Sequence, residues 1–232
     1  GTYLTDYLTD RAVDLIKNHD TNNPFYLNMW YYSVHTPIQA KPEIIEKYKA
    51  KAKKMGLDQQ KTFEEGETFP CQHKKDQHVL RRLIQSDPVY AAMIETLDTN
   101  IGRLLDAVEA TGEADNTIVV FYSDNGGLAT AESSPTCNAP LAEGKGWMYE
   151  GGTREPLLIK WPQRIKAGAT CDVPVTSPDF YPTLLEAANL PLIPEQHTDG
   201  ISILPLLDGA QQIERDAIFW HYPHYGNQGG TP

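Results

Sequence analysis

The chain has 232 residues, of which 40% are hydrophobic and 22% are charged, which is an ordinary composition for a globular domain with a full core. Its formal net charge of −11 argues against nucleic acid or an anionic membrane surface as a partner. No run approaches the roughly 18 apolar residues that a membrane span needs. Cys71, Cys137 and Cys171 lie far apart without Cys-x-x-Cys spacing, so they indicate neither a zinc ribbon nor a disulfide framework.

The N-terminal part predicts a helix, a strand and a histidine at the end of that strand. Thr5 suits the N-cap of a helix that ends near Asn18 and His19. Residues 25–32, Phe-Tyr-Leu-Asn-Met-Trp-Tyr-Tyr, predict a buried strand that runs into His35. Ligands bind at the carboxyl ends of strands in open α/β sheets, which favours a functional histidine. A histidine after a strand is more often structural, so these residues alone leave both roles open.

The middle of the chain predicts two helices with a polar segment between them. Pro42 to Met55 is expected to be a helix, with acidic residues early and lysines late, as the helix dipole favours. The lysines do not form a single basic face, which indicates a solvated helix end rather than a polyanion site. Residues 57–86 lack periodicity and are interpreted as a variable loop. Asp87 opens the clearest amphipathic helix, which Gly112 ends.

The segment 117–123 predicts a strand that ends at candidate metal ligands. Its β-branched and aromatic residues show no polar alternation, as in a strand covered on both faces of a parallel sheet. Asp124 and Asn125 follow with two oxygen ligands side by side, and Gly126-Gly127 allows a sharp turn. The pattern predicts a cation site, while an Asx-type turn that only ends the strand is the alternative.

A second motif follows an irregular stretch. Residues 144–156 read Gly-Lys-Gly-Trp-Met-Tyr-Glu-Gly-Gly-Thr-Arg-Glu-Pro, and an apolar run follows at 157–161. A strand with Ser-Asp-Asn-Gly-Gly, followed by this motif, resembles the sulfatase family of the alkaline-phosphatase-like superfamily. The resemblance implies an α/β fold with a mostly parallel central sheet flanked by helices. It covers nearly all of residues 1–232 as part of a single catalytic domain, and it is weakest over 57–86.

The resemblance also implies roles for individual residues. Asp124 and Asn125 correspond to ligands of a divalent cation, usually calcium, with magnesium possible. Lys145 corresponds to a lysine on the sulfate, and His35, in Val-His-Thr-Pro-Ile, to a histidine on the sulfate or its leaving oxygen. A cation together with Lys145 would supply the local positive charge that an anionic ester needs in an acidic protein.

The substrate class and the location follow from the same resemblance. It implies a sulfated small molecule or a sulfated glycan as substrate, and a periplasmic or extracellular (secreted) protein, although the residues themselves do not reveal localisation.

The C-terminal part continues the resemblance. The segment around Asp179 matches one that precedes a helix in the family, and 199–209 matches the next loop. Residues 217–220 predict a short strand. His221 and His224 follow it among aromatic residues, and we expect them to line the substrate pocket, with a packed aromatic loop as the alternative.

The nucleophile motif of the family is not found in this sequence. Sulfatases carry Cys/Ser-x-Pro-x-Arg, whose first residue becomes formylglycine, and no cysteine or serine here has Pro two and Arg four positions later. We therefore expect an internal or C-terminal fragment of the catalytic domain, without the N-terminal strands and the C-terminal subdomain, that is inactive alone. Two alternatives remain: a phosphodiesterase or phosphonate hydrolase of the same superfamily, and a non-catalytic binding module that keeps the fold.

Overall fold

The computed structural model describes residues 2–222, which contain six α-helices and four short strands. The helices are α1 (Leu4–Asn18), α2 (Pro42–Lys54), α3 (Pro88–Ala110), α4 (Glu150–Thr153), α5 (Phe180–Ala187) and α6 (Leu204–Leu207). The strands are β1 (Phe63–Thr68), β2 (His78–Arg82), β3 (Val119–Tyr122) and β4 (Leu157–Lys160). Within the described residues, β1 pairs with β2 and β3 with β4, giving two two-stranded sheets rather than one wide sheet.

The described residues divide into two compact units. The first comprises 2–114, 121–158 and 222, and the second comprises 115–120 and 159–221. His35, Asp124, Asn125 and Lys145 all lie in the first unit. None of the helices between residues 2 and 222 is long and apolar enough to cross a membrane.

Helix α1 packs on α3 through a largely polar contact. Asn100 of α3 is buried, and its Nδ2 donates to Asp6 Oδ1 at 2.9 Å and to the carbonyl of Thr96 at 2.8 Å. Apolar contact is limited to the far end, where Ile16 packs against Ala107 and Val108. Buried amide and hydroxyl groups are tolerated here because each finds a partner.

Thr5 does not cap α1 as predicted. The helix begins at Leu4, two residues before the start that a Thr5 cap would give, with Tyr3 at the N-cap position and no side-chain cap. The Thr5 hydroxyl lies 2.7 Å from Ser33 Oγ instead, so a tertiary contact has taken the group that would cap the helix.

The ends of α3 agree with the sequence prediction. Asp87 is its N-cap, and Oδ1 accepts from the backbone N–H groups of Val89 at 2.8 Å and Tyr90 at 3.0 Å. Gly112, just beyond the last turn, has φ +79°, a conformation that favours glycine. Helix α2 is also confirmed.

Two predicted strands do not form. Residues 25–32 are extended but have no ladder partner among the described residues, and Tyr26, Trp30 and Tyr32 are between 73% and 79% exposed. Residues 217–220 form no strand either, and Phe219 is 89% exposed. Aromatic and β-branched sequence favours a strand, but a strand exists only where a neighbour supplies the ladder hydrogen bonds.

Strand β3 is shorter and less covered than predicted. It begins at Val119 rather than at residue 117, and Val120 is exposed. Since β3 pairs with β4 alone in the described part of the chain, the prediction of a strand covered on both faces is wrong for this chain.

Residues 57–86 are not an unstructured loop. They contain the antiparallel hairpin β1–β2, in which Phe63 lies opposite Arg82. Phe69, Cys71 and Val79 of this segment form a buried cluster with Trp147 of the second motif. The sequence signal was weak because β2 has only five residues and its two apolar residues, Val79 and Leu80, are adjacent rather than alternating with polar ones. That this segment varies within a family stays a prediction.

The second unit is organised around the buried carboxylate of Asp179, just before α5. Asp179 accepts hydrogen bonds from the backbone N–H groups of Thr176 at 2.8 Å and Ile201 at 3.0 Å, and it pairs with Arg215. The prediction that this segment precedes a helix is confirmed.

Candidate functional site

Two side chains predicted to contact the substrate meet in the first unit. Lys145 Nζ lies 2.6 Å from His35 Nε2, although 110 residues separate them in the chain. His35 is exposed and Lys145 is half-buried, so both can contact solvent or a ligand. The structure therefore brings together the two residues that the sequence assigned to one anion.

The candidate metal ligands follow β3 directly. Asn125 Nδ2 donates to Asp124 Oδ1 at 2.8 Å, and the hydroxyl of Ser123 donates to the carbonyl of Asn125 at 3.1 Å. Calcium takes six to eight oxygen ligands, so these two side chains can form only part of a calcium site. Among residues 2–222, no group of three or more His, Cys, Asp or Glu side chains is arranged to hold a metal ion.

The two motifs are joined through their backbones. The N–H of Gly126 donates to the carbonyl of Gly152 at 3.3 Å, and the N–H of Lys145 donates to the carbonyl of Gly127 at 3.1 Å. A Cβ at Gly126 would overlap the carbonyl oxygen of Gly151 and lie 2.8 Å from its carbonyl carbon. Only glycine allows this approach, which ties the Asp124 loop to the loop that carries Lys145.

Asn138 fixes the same junction with its side chain. Its Nδ2 donates to the carbonyl of Gly127 at 2.9 Å and to the carbonyl of Glu143 at 2.8 Å. A Cβ at Gly144 would lie 2.6 Å from that nitrogen, so this position is also restricted to glycine. Sequence analysis did not single out Asn138, because a lone asparagine in an irregular stretch carries no motif.

The β1–β2 hairpin supports the segment between the two motifs. Arg81 Nε donates to Glu143 Oε1 at 2.7 Å, and the same guanidinium pairs with Glu67. The indole N–H of Trp147 donates to Thr130 Oγ1 at 2.9 Å inside the buried cluster. The segment interpreted as a variable loop is thus part of the support of Lys145.

Glu155 is a further acidic group near the candidate metal ligands. Burial, and then the charge of Asp124, raises the pKa of Glu155 to about 7. Its Oε1 is buried and has no hydrogen-bond partner in residues 2–222. Asp124 is exposed, and its negative charge acts on the half-buried Glu155, so a cation bound here would be attracted to both carboxyl groups. Glu155 was visible in sequence only as the penultimate residue of the second motif.

The structure does not test the other two residues that were predicted to bind substrate. His221 belongs to the second unit and is exposed, and His224 lies outside the described residues. Their role in binding substrate stays a prediction.

Comparison with known proteins identifies the class. The family profile described as "Sulfatase" matches residues 1–190, and the chain belongs to the sulfatase family. This agrees with the α/β, alkaline-phosphatase-like fold class expected from the sequence, which the similarity to solved sulfatases confirms.

The individual relatives are longer proteins. A sulfatase of Formosa agariphila is 37% identical over 237 residues, which covers 96% of this chain and 37% of the relative. Human arylsulfatase A is 39% identical over 57% of this chain and 25% of its own length. The crystal structure of Ps i-CgsB in complex with k-i-k-neocarrahexaose has a TM-score of 0.66 and 30% identity, covering 88% of this chain and 38% of that one. The chain spans well under half the length of these relatives.

The close approach of the two motifs predicts an effect on stability. Gly126→Ala should destabilise the chain, by about 1–3 kcal/mol or more, because the new Cβ overlaps the backbone at Gly151. Gly102→Ala is the matched control, since a Cβ at that position of α3 meets nothing within 4 Å and should stabilise by up to about 1 kcal/mol. Urea unfolding measures both, and equal unfolding midpoints for the two variants would contradict the interlocked junction.

The raised pKa of Glu155 predicts a pH dependence of stability in metal-free chain. Between pH 4.5 and about 7 the folded chain keeps a proton on Glu155 that the unfolded chain has lost. The contribution of this proton to the free energy of unfolding is complete below pH 4.5 and is lost as pH rises through about 7. Glu155→Gln cannot ionise and should lose less stability than the wild type between pH 5 and pH 8, measured by urea unfolding in EDTA. The exposed Glu150→Gln should follow the wild type, and parallel curves for wild type and Glu155→Gln would disprove the assignment.

Proposed function

We propose that a protein carrying this chain hydrolyses sulfate esters, with Lys145 and His35 in contact with the sulfate. The observation that carries the proposal is the distance of 2.6 Å between Lys145 Nζ and His35 Nε2. The loop that carries Lys145 is joined to the Asp124 loop by backbone hydrogen bonds. Membership of the sulfatase family supports this reaction over the phosphodiesterase, phosphonate hydrolase and binding-module alternatives.

A divalent cation fits the residues around Asp124. Asp124 and Asn125 would hold it through hard oxygen atoms, which calcium and magnesium prefer. After burial, the charge of Asp124 contributes to the raised pKa of Glu155, so the two carboxyl groups interact electrostatically. When bound, such a cation supplies positive charge that polarises a sulfate oxygen.

The residues of the chain act on the sulfate and on its leaving group. The Lys145 ammonium stabilises negative charge on the sulfate oxygens as it develops, which is worth most in a site arranged before the reaction. His35 serves the leaving oxygen through Nε2, the nitrogen that faces Lys145. The family's formylglycine nucleophile has no Cys or Ser candidate among the 232 residues, so the chain acts with a segment that supplies it and is inactive alone.

The proposed substrate is a sulfated glycan, with a sulfated small molecule as the other candidate. The solved relative Ps i-CgsB holds k-i-k-neocarrahexaose, which supports a sugar ligand. His221 and His224 would contact the sugar. A periplasmic or extracellular location accords with such substrates and belongs to the same proposal.

The metal assignment predicts weak, specific cation binding by this chain. Calcium titrated into metal-free chain should bind weakly, because two side chains supply only part of a calcium coordination shell. Asp124→Ala and Asn125→Ala should abolish the binding measured by calorimetry, whereas the exposed Asp76→Ala should leave it unchanged. Tight binding that survives Asp124→Ala would refute the site.

The catalytic assignment predicts a loss of activity in a protein that also carries the nucleophile segment. Lys145→Ala should lower kcat/KM on an aryl sulfate by about 10²-fold or more, because developing charge loses its cationic partner. The exposed Lys166→Ala is the control. A change within about threefold for Lys145→Ala, roughly 0.65 kcal/mol, would make the lysine structural, and faster turnover of a matched aryl phosphate diester would overturn the reaction class.

A further inference from the structure

We propose that Thr36 and Glu132 hold the His35 imidazole in one tautomer, with its hydrogen on Nδ1 and the lone pair of Nε2 directed at Lys145. Glu132 is then a positioning residue that acts on His35 through the Thr36 hydroxyl. The role of this tautomer in catalysis rests on the proposed function, but the hydrogen-bond chain does not.

The donors and acceptors around His35 allow only this arrangement. Nδ1 lies 3.1 Å from the carbonyl oxygen of Thr36, and a carbonyl can only accept, so Nδ1 must carry the hydrogen. Thr36 Oγ1 donates its single hydrogen to Glu132 Oε2 at 3.1 Å, and towards Nδ1, also at 3.1 Å, it can therefore only accept. Both contacts place the hydrogen on Nδ1.

The second ring nitrogen gives an independent check. Lys145 Nζ lies 2.6 Å from Nε2, and an ammonium group has hydrogens to donate and no lone pair to accept. In a neutral imidazole Nε2 must then carry the lone pair, which is the same tautomer that Thr36 requires. Nδ1 stays a donor in the imidazolium form too, so Nε2 is the nitrogen that gains and loses the proton.

Glu132 is held in place by a strained turn. Glu132, Ser133 and Ser134 have φ values of 49°, 73° and 44°, which L-residues adopt rarely and in succession only when their surroundings impose it. The surroundings here come from β2, where Arg82 Nε donates to the carbonyl of Ser134 and Ser134 Oγ donates to the carbonyl of Leu80 at 3.3 Å.

The hairpin also fixes the start of this turn. The backbone N–H of Arg82 donates to the carbonyl of Ala129 at 3.1 Å, and the Arg82 side chain is buried. The β1–β2 hairpin therefore orients the Glu132 carboxylate, which lies 96 residues along the chain from Thr36, the residue it contacts. This gives the segment 57–86 a role in the site that its sequence did not reveal.

The charge of Glu132 matters less than its acceptor oxygen. Without an acceptor there, the Thr36 hydroxyl is free to rotate and donate to Nδ1 of the other tautomer, which would turn the Nε2 hydrogen towards Lys145. A glutamine keeps an acceptor oxygen at the same distance along the side chain. The two substitutions at one position therefore separate loss of the acceptor from loss of the charge.

The test is nitrogen-15 NMR of the histidine rings in this chain, at a pH where imidazole side chains are neutral. The wild type should show a protonated, pyrrole-type Nδ1 and a pyridine-type Nε2 for His35. Glu132→Ala should shift the Nδ1 signal towards the pyridine-type position, and Glu132→Gln should keep the wild-type signal. The exposed Glu46→Ala, in α2, is the control and should leave His35 unchanged.

His78 supplies an internal reference for folding. Its Nδ1 lies 2.7 Å from the carbonyl of Gly66 inside the hairpin, so its tautomer should stay the same in every variant. If Glu132→Ala disturbs His78, Glu132→Leu replaces it, since leucine also lacks an acceptor oxygen but is closer to glutamate in size.

Three results would overturn the proposal: a His35 signal unchanged when the acceptor of the Thr36 hydroxyl is removed, a Glu132→Gln signal shifted as far as that of Glu132→Ala, or an equal shift in Glu46→Ala. The measurement needs no substrate or activity. The NMR result can therefore be interpreted even if the chain does not serve in sulfate ester hydrolysis. Conversely, the proposed reaction does not depend on the tautomer assignment.

Discussion

The site depends on the close approach of glycine backbones from two separate motifs. Gly126 lies against Gly151 and Gly152, and the backbone of Lys145 is hydrogen-bonded to Gly127. A side chain at Gly126 would push the Asp124 loop away from the Lys145 loop, because the carbonyl of Gly151 occupies the space that a Cβ needs. Asn138 reinforces the junction by donating to a carbonyl on each side. The positions of Asp124 and Lys145 therefore depend on the backbone packing between their two loops.

Electrostatics explains how an acidic chain can present a site for an anion. The net charge of −11 is repulsive for a sulfate, so attraction has to be local. Lys145 supplies one positive charge beside His35. The negative charge of Asp124, which also acts on the half-buried Glu155, favours a bound cation nearby. Lysine and bound cation together would form a positive centre that the global charge does not cancel at short range.

The β1–β2 hairpin links the outer part of the fold to the site. Arg81 pairs with Glu143, immediately before Gly144, and Arg82 holds the turn that carries Glu132. Phe69, Cys71 and Val79 bury apolar surface against Trp147, two residues after Lys145. Residues 57–86 show little sequence periodicity but can still stiffen the site. Their buried side chains pack with Trp147 of the second motif, and their arginines contact the segment between the two motifs.

The sequence by itself determined the elements with strong local signals and suggested the candidate site. The Asp87 cap and the glycine after α3 set the ends of that helix through local backbone chemistry, and the family resemblance assigned candidate roles to His35, Asp124, Asn125 and Lys145. Only the tertiary structure decided that Thr5 bonds Ser33, that residues 25–32 and 217–220 lack strand partners within the described range 2–222, and that residues 57–86 contain a hairpin. It alone also placed Asn138, Glu132 and Glu155 at the site. These features depend on contacts between residues far apart in the chain, which local propensity and periodicity do not encode.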